Sequence, residues 1–183
     1  MSKAIKTVKS KLQLQSLLSK TNKGKLLLQQ WIELDPIYVG EKNSANYKES
    51  IHRHLIESTE QVTLQGHWCE FGVREGRSLH WLIDKYPTQI IHAFDSWQGL
   101  PEAWDHGTGK VNDMSCAPPV VPGHINLHKG WFKDTLPAWK QQHKGPIAFL
   151  HMDADIYSST KEVLMSLNDQ IISGTIITFD EFC

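Results

Sequence analysis

Beyond residue 66 the chain alternates short apolar runs with segments of helical periodicity, and this alternation constrains the fold more than any other feature. The runs predict five strands, at residues 67–71, 90–94, 125–128, 147–152 and 175–179. Apolar strands separated by helices are typical of a parallel sheet that is covered on both faces. The sequence therefore predicts an α/β fold with a Rossmann-like, doubly wound and mostly parallel sheet, whose ligands bind beyond the carboxyl ends of the strands.

Two of the intervening helices are defined by an apolar face and by their ends. The first stops at Pro87, which cannot continue a helix, and its apolar face consists of Leu79, Leu82, Ile83 and Tyr86. The second is predicted to open at the capping-box pair Ser159 and Glu162 and to close at Gly174. Its inward residues are Val163, Leu164, Leu167 and Ile171. Residues 98–124 show no clear period and are predicted to cover a substrate or to form a mobile surface loop.

The N-terminal region has a different composition. Residues 1–60 read as a helical extension, placed before a second domain at 61–183, and residues 1–25 contain seven lysines and no acidic residue. This segment is either a basic amphipathic helix for a membrane surface or polyanion, or a helix packed on the domain or on a partner subunit. A net charge of −1 gives no reason to expect nucleic acid as a partner. Three unpatterned cysteines and the lack of a signal peptide or membrane-spanning run predict a cytoplasmic protein.

A glycine-containing turn follows the first strand. Glu70 ends the strand, and the turn then runs through Gly72, Val73, Arg74, Glu75 and Gly76 to Ser78. Glycines at this place let the backbone approach a ligand closely, although such a turn is also common for structural reasons alone. A dinucleotide fingerprint needs a third glycine where Arg74 stands, so the turn favours a ligand without a pyrophosphate over NAD.

The second strand ends in Asp95, followed by Ser96 and Trp97. A carboxylate at this position accepts hydrogen bonds from both ribose hydroxyls in nucleotide-binding βαβ units. The alternative is an aspartate that caps a helix. Trp97 either stacks on an adenine ring or packs in the core.

Acidic residues collect at the ends of the fourth and fifth predicted strands. Asp153 and Asp155 follow the fourth strand, and Asp180 and Glu181 follow the fifth. Neighbouring strands lie about 4.8 Å apart, so these carboxylates are predicted to share a divalent cation such as Mg²⁺. The alternative is a set of solvated acids that cap helices. His151 is interpreted as a strand residue beside this site rather than a ligand, and His52 and His54 as surface residues.

Four motifs in order resemble the macrocin O-methyltransferase family of metal-dependent sugar O-methyltransferases. They are residues 70–72 (EFG), 94–101 (FDSWQGLP), 130–137 (GWFKDTLP) and 152–160 (MDADIYSST), and the resemblance covers about residues 40–183. It implies that the turn from Glu70 to Ser78 holds the methionine end of S-adenosylmethionine and that Asp95 holds the ribose. It further implies that Ser96 and Trp97 lie beside the adenosine and that the adenine side is lined by Gly130, Trp131 and Phe132.

The resemblance implies transfer of a methyl group to a hydroxyl of a small-molecule acceptor, a sugar or another polyol. A bound divalent metal lowers the pKa of a coordinated hydroxyl and orients it. Asp153 is predicted to be both metal ligand and proton acceptor, with Asp180 and Glu181 completing the metal site. Relatives usually carry two aspartates where Asp180 and Glu181 stand, so the geometry of that site differs from the family pattern.

Two further expectations concern the end of the chain and the alternatives. Relatives continue past the fifth strand with a helix and an antiparallel strand pair, which predicts either a fragment of a longer protein or a partner copy that covers the sheet edge. The alternative functions are a truncated domain that binds S-adenosylmethionine without turnover, and a nucleotide-sugar glycosyltransferase whose metal-binding pair is Asp153 and Asp155.

Overall fold

The computed structural model describes residues 54–104 and 109–180. Residues 1–53 of the predicted N-terminal helical extension therefore lie outside the described residues. Glu181 and the last two residues of the chain also lie outside them. Residues 54–59 are helical. The boundary predicted between residues 60 and 61 stays a prediction.

A five-stranded parallel sheet forms the centre of the described region. The strands are β1 (His67–Phe71), β2 (Ile91–Asp95), β3 (Ile125–Lys129), β4 (Ile147–Met152) and β5 (Ile176–Phe179). Their order across the sheet is β3-β2-β1-β4-β5, and each neighbouring pair is parallel. This order reverses direction at β1, and the crevice at such a reversal is where ligands bind in doubly wound sheets. The predicted Rossmann-like α/β fold is confirmed.

Helices cover both faces of the sheet. They are α1 (Arg77–Lys85), α2 (Phe132–Gln142) and α3 (Tyr157–Ser166). One core cluster packs Leu136, Trp139, Val163 and Leu164 from α2 and α3 against β1, β2 and β4. The other packs Leu55, Leu79, Leu82 and Ile83 against the opposite face. Burying a large apolar side chain stabilises the fold by about 1.5–3 kcal/mol, so these two clusters fix the sheet between its helices.

Several element ends differ from the sequence-based expectations. Ile90 is 54% exposed and precedes β2, which instead includes Asp95 as its last residue. The helix α3 begins at Tyr157 after Ile156 and has no side-chain cap among the described residues, so the predicted opening at Ser159 is wrong by two residues. It ends at Ser166 rather than near Gly174, although Leu167 and Ile171 are buried as predicted. None of the helices in the described ranges is both long and apolar enough to cross a membrane.

Candidate active site

A cavity of about 880 Å³ opens at the carboxyl ends of the strands. All five strands contribute to it, through the segments that directly follow them. Most of the predicted site residues line it: Gly72, Val73, Arg74, Glu75, Ser78, Asp95, Ser96, Gly130, Trp131, Phe132, Asp153 and Asp180. The fold thus brings together residues that lie far apart in the sequence.

The turn after β1 passes very close to the end of β4. A Cβ atom on Gly72 would lie 1.8 Å from the carbonyl oxygen of Asp153, and Gly72 has a φ of +85°. Its amide N–H donates to the carbonyl oxygen of Phe94 at 3.0 Å, and the amide of Asp153 donates to the carbonyl oxygen of Phe71 at 2.8 Å. Only glycine combines this φ with so close an approach, which explains its position directly after the strand.

Asp95 holds the glycine turn in place. Its Oδ2 accepts the amide N–H groups of Val73 and Arg74, both at 2.8 Å, and its Oδ1 accepts that of Trp97 at 2.7 Å. Hydrogen bonds to a charged acceptor are each worth about 1.5–3 kcal/mol. Since none of the helices in the described ranges begins at Asp95, the helix-capping alternative does not apply. Contact of this carboxylate with a ribose stays a prediction.

Three predicted cofactor residues are not among those that line the cavity. Gly76 precedes α1 in a left-handed conformation. Trp97 is 4% exposed and its indole N–H donates to the carbonyl oxygen of Arg74 at 2.9 Å, which favours the core interpretation of this ring. Glu70 is fully buried.

Glu70 links the glycine turn to β4. Its Oε1 accepts the hydroxyl of Ser78, and it also lies 2.9 Å from Nδ1 of His151. Burial opposes protonation of His151, but the hydrogen bond and charge of Glu70, together with the charges of Asp153 and Asp180, raise its pKa above the usual value. His151 is 1% exposed. It lies in β4 and contacts Glu70, and it is not among the residues that line the cavity.

The carboxylates at the ends of β4 and β5 are mutually destabilising. Burial and the charge of Asp180 raise the pKa of Asp153 to about 8. Burial and Asp180 also raise the pKa of Asp155 to about 6, against the opposing charge of Arg74. Glu181, the third predicted metal ligand, lies outside the described residues. A group of acids that resist ionisation together is stabilised by a cation or by bound protons.

His54 is the clearest residue that sequence reasoning missed. It was expected on the surface, but its side chain is 19% exposed and its Nε2 lies 3.2 Å from Oδ1 of Asp180. Its ring centroid is 6.0 Å from that of His151. Because the helical pattern of this region does not show which element it packs on, no sequence signal marks the contact.

Part of the segment 98–124 lines the cavity, which favours the substrate-covering interpretation over a mobile loop. Its contributing residues are Gly99, Leu100, Pro101, Glu102, Trp104, Asn112 and Met114. Glu102 accepts a hydrogen bond from the hydroxyl of Ser158 at 2.6 Å and so joins the segment to the first turn of α3. Residues 105–108 of the segment lie outside the described part of the chain.

The strand order and the helices on both faces of the sheet form a Rossmann-like fold that is similar to that of a methyltransferase of known structure. Two crystal structures of CalS11 superpose on 94% of this chain, and the superposition covers 76% of CalS11 in each case. CalS11 is a calicheamicin methyltransferase, and its apo structure is described as that of a TDP-rhamnose 3'-O-methyltransferase. The TM-scores are 0.59 and 0.51, at 22% and 21% sequence identity.

Sequence comparisons find similarity to sugar-modifying O-methyltransferases over parts of the chain. Residues 120–183 match the macrocin-O-methyltransferase (TylF) family. The mycinamicin III 3''-O-methyltransferase of Micromonospora griseorubida is 24% identical over 157 residues, which are 72% of this chain and 61% of that protein. An 8-demethyl-8-(2,3-dimethoxy-alpha-L-rhamnosyl)-tetracenomycin-C 4'-O-methyltransferase of Streptomyces olivaceus is 30% identical over 63 residues, 34% of this chain and 23% of that protein.

The chain spans less than two thirds of the length of either curated relative. The chain is thus similar to macrocin-O-methyltransferases over residues 120–183 and to CalS11 in its fold.

Proposed function

We propose that the chain binds S-adenosylmethionine in this cavity and transfers its methyl group to a hydroxyl of a sugar or another small polyol. The observation that carries the proposal is that one cavity joins the glycine turn held by Asp95 to the carboxylates Asp153 and Asp180. The names of the relatives, which are O-methyltransferases of sugar-bearing natural products, support the acceptor class.

The cofactor half of the cavity lies between the ends of β1, β2 and β3. The glycine turn brings backbone groups to the cavity wall, and Asp95 and Ser96 add polar side chains beside it. Trp131 and Phe132 supply aromatic surface next to Gly130. Such a pairing of polar groups with aromatic surface suits an adenosine. When bound, S-adenosylmethionine would supply an electrophilic methyl group on a sulfonium.

The acceptor half lies at the ends of β4 and β5. Asp153 lines the cavity at the end of β4. In this proposal its carboxylate accepts the proton of the acceptor hydroxyl. Asp153 and Asp180 suit a divalent cation, because both supply carboxylate oxygens as ligands. Their negative charges repel each other, and a bound cation would offset this repulsion. In this proposal Glu181 completes the ligand set. A bound Mg²⁺ would lower the pKa of a coordinated hydroxyl.

The test is a calorimetric titration with S-adenosylhomocysteine, alongside the variants Asp95→Asn and Asp153→Asn. We expect the wild-type protein to bind about one molecule per chain. Asp95→Asn should weaken binding at least about tenfold, because the turn loses a charged acceptor worth more than about 1.4 kcal/mol. Asp153→Asn should bind the cofactor product but lose methyl transfer to a panel of nucleotide-linked and aglycone-linked sugars.

Two results would contradict the proposal. One is a folded wild-type protein that binds a sugar nucleotide but not S-adenosylhomocysteine, as a glycosyltransferase would. The other is binding of S-adenosylhomocysteine without methyl transfer to any hydroxyl in the panel, which would favour a non-catalytic cofactor-binding domain.

A further inference from the structure

A buried histidine in β4 has a ring nitrogen that no described residue satisfies. His151 is 1% exposed, and its Nδ1 is engaged by Glu70 at 2.9 Å. Its Nε2 is buried and makes no hydrogen bond to the described part of the chain. Protonated or not, His151 leaves this nitrogen unsatisfied, which is costly for a buried polar atom. A ligand at Nε2 would remove that cost.

Two further donors converge on the same place. His54 also has a buried Nε2 that makes no hydrogen bond within residues 54–104 and 109–180, and Oδ1 of Asp180 lies 3.2 Å from it. Donor atoms of His54, His151 and Asp180 all lie within 4.8 Å of one another. Zinc–nitrogen bonds are about 2.0–2.1 Å long and the ion is tetrahedral, so two of its ligand atoms stand about 3.4 Å apart. A small rotation of the imidazoles would therefore bring three ligands around one ion.

The chemistry of the donor set selects the ion. Two imidazole nitrogens and one carboxylate suit borderline transition-metal ions, whereas Mg²⁺ prefers an all-oxygen environment. Glu70 completes the arrangement from outside, because a carboxylate that accepts the other ring N–H fixes the tautomer of a metal-binding histidine. Glu70 is itself held by the hydroxyl of Ser78.

We propose that His54, His151 and Asp180 form a binding site for a divalent transition-metal ion such as Zn²⁺ or Co²⁺, with Glu70 orienting His151. This site differs from the Asp153-centred magnesium site proposed above in its nitrogen ligands and in the ion that it prefers, although both use Asp180. It does not depend on methyl transfer, because metal binding is measured directly.

The experiment titrates the full chain with Co²⁺, followed by its visible absorption, and with Zn²⁺ by calorimetry. The wild-type protein should bind one ion per chain and develop the absorption of nitrogen-ligated cobalt. His54→Gln should weaken Zn²⁺ binding at least about tenfold, since even outer-shell substitutions cost about 10–100-fold. Because His54 is partly exposed, this variant should fold. Asp180→Asn is the second ligand variant, and urea unfolding confirms the fold of both.

His124→Gln is the matched control, because His124 also has a buried Nε2 without a hydrogen bond to the described residues but lies outside the three-residue group. The proposal is overturned if His54→Gln retains the wild-type affinity for Zn²⁺ or if His124→Gln loses as much. It is also overturned if binding needs Asp153 but not His54. A titration of His54→Gln with S-adenosylhomocysteine separates this outcome from failure of the proposed methyltransferase function.

Discussion

Asp95 concentrates three backbone hydrogen bonds on a single carboxylate, and so one side chain sets the shape of the glycine turn. The donors come from both sides: two from the turn after β1 and one from the segment after β2. Arg74 and Trp97, two of the donor residues, have positive φ values of 50° and 54°. Such conformations cost about 1–3 kcal/mol each and persist where surrounding contacts enforce them.

Asp95→Asn should lower the stability of the protein as well as its affinity for the cofactor product. An amide is neutral and has one acceptor oxygen, so all three backbone donors lose a charged acceptor and at least one loses its acceptor altogether, at a cost of about 1–3 kcal/mol. Urea unfolding measures the effect. The control is Asp84→Asn, on the exposed side of α1, which should change the free energy of unfolding by less than about 0.5 kcal/mol. Equal effects of the two substitutions would contradict the assigned role.

Gly72→Ala should be among the most damaging single substitutions in the chain. The added Cβ would meet the carbonyl oxygen of Asp153 at 1.8 Å, and that atom is part of the backbone at the end of β4. Either β1 and β4 separate or the turn changes its path, so we expect a loss of more than about 3 kcal/mol or failure to fold. Gly123→Ala is the matched control, because a Cβ added there would have no atom of the described residues within 4 Å. Similar urea midpoints for both variants would refute the steric explanation.

At the scale of elements, the helix α2 and strands β1 to β3 enclose a cluster of histidine and tryptophan rings. His92 contacts His128 through ring nitrogens 3.1 Å apart, and its ring centroid is 4.5 Å from that of His143 and 5.2 Å from that of Trp139. Burial and the neighbouring His143, His128 and His67 lower the pKa of His92 to about 3, and burial and His143 lower that of His128 to about 4. The cluster is therefore stable only while these rings are neutral.

Acid should weaken this packing. The unfolded chain binds a proton at each histidine near pH 6.5, whereas folded His92 does so only near pH 3. Its stabilising contribution is complete above pH 6.5 and is lost as the pH falls toward 3, by at most about 1.4 kcal/mol per pH unit. The variant His92→Phe has no proton to bind at this position. Its free energy of unfolding should therefore rise relative to that of the wild-type protein when the pH is lowered from about 7.5 to about 5.5.

Urea unfolding at the two pH values measures that shift. Asp153 and Asp155 change the stability with pH in the opposite direction, but they do so in both proteins. Their contribution therefore cancels in the difference between the wild-type protein and His92→Phe. The variant His124→Gln replaces a histidine outside the cluster. Its difference from the wild-type free energy of unfolding should change less between the two pH values. A difference between wild type and His92→Phe that does not vary with pH would contradict the expectation.

The strands could be predicted from sequence to within about one residue, because most are short apolar runs, whereas β3 (INLHK) alternates apolar with polar residues. The helix α2 could not, since Pro137 stands inside it and few apolar residues mark its face. The start of α3 was misplaced because Ser159 and Glu162 match a capping box, whereas the helix begins at Tyr157, after Ile156, without a side-chain cap among the described residues. The contacts of Glu70 with His151 and of His54 with Asp180 join residues that are distant in sequence, which no local pattern encodes.

At the scale of the whole molecule, the strand order reverses at β1. The polar residues of the candidate site, within the described region, lie together at the carboxyl ends of the strands. The outermost strands are β3 and β5, and in the described residues β5 pairs only with β4. The partner copy predicted to cover β5 stays a proposal. Because the cavity draws on every strand, a ligand that fills it binds the folded state and not the unfolded chain.

S-adenosylhomocysteine should therefore stabilise the whole domain. At a free concentration of about 100 times its dissociation constant, we expect the free energy of unfolding to rise by about 2.7 kcal/mol. Thermal and urea unfolding with and without the ligand measure the increase. Asp95→Asn should show little increase at the same ligand concentration. A wild-type protein that binds the ligand by calorimetry without any shift in stability would mean that the ligand does not bind in this cavity.

Glu70 accepts hydrogen bonds from both the glycine turn and His151, and this has a thermodynamic consequence. A ligand that orders Ser78 also fixes the carboxylate on which His151 depends, and an ion on His151 fixes the same carboxylate from the other side. Two binding events that act on one shared group influence each other reciprocally and by the same factor. If both proposed ligands bind, the order of loading would not matter to the final state, and S-adenosylmethionine and the ion would each favour retention of the other.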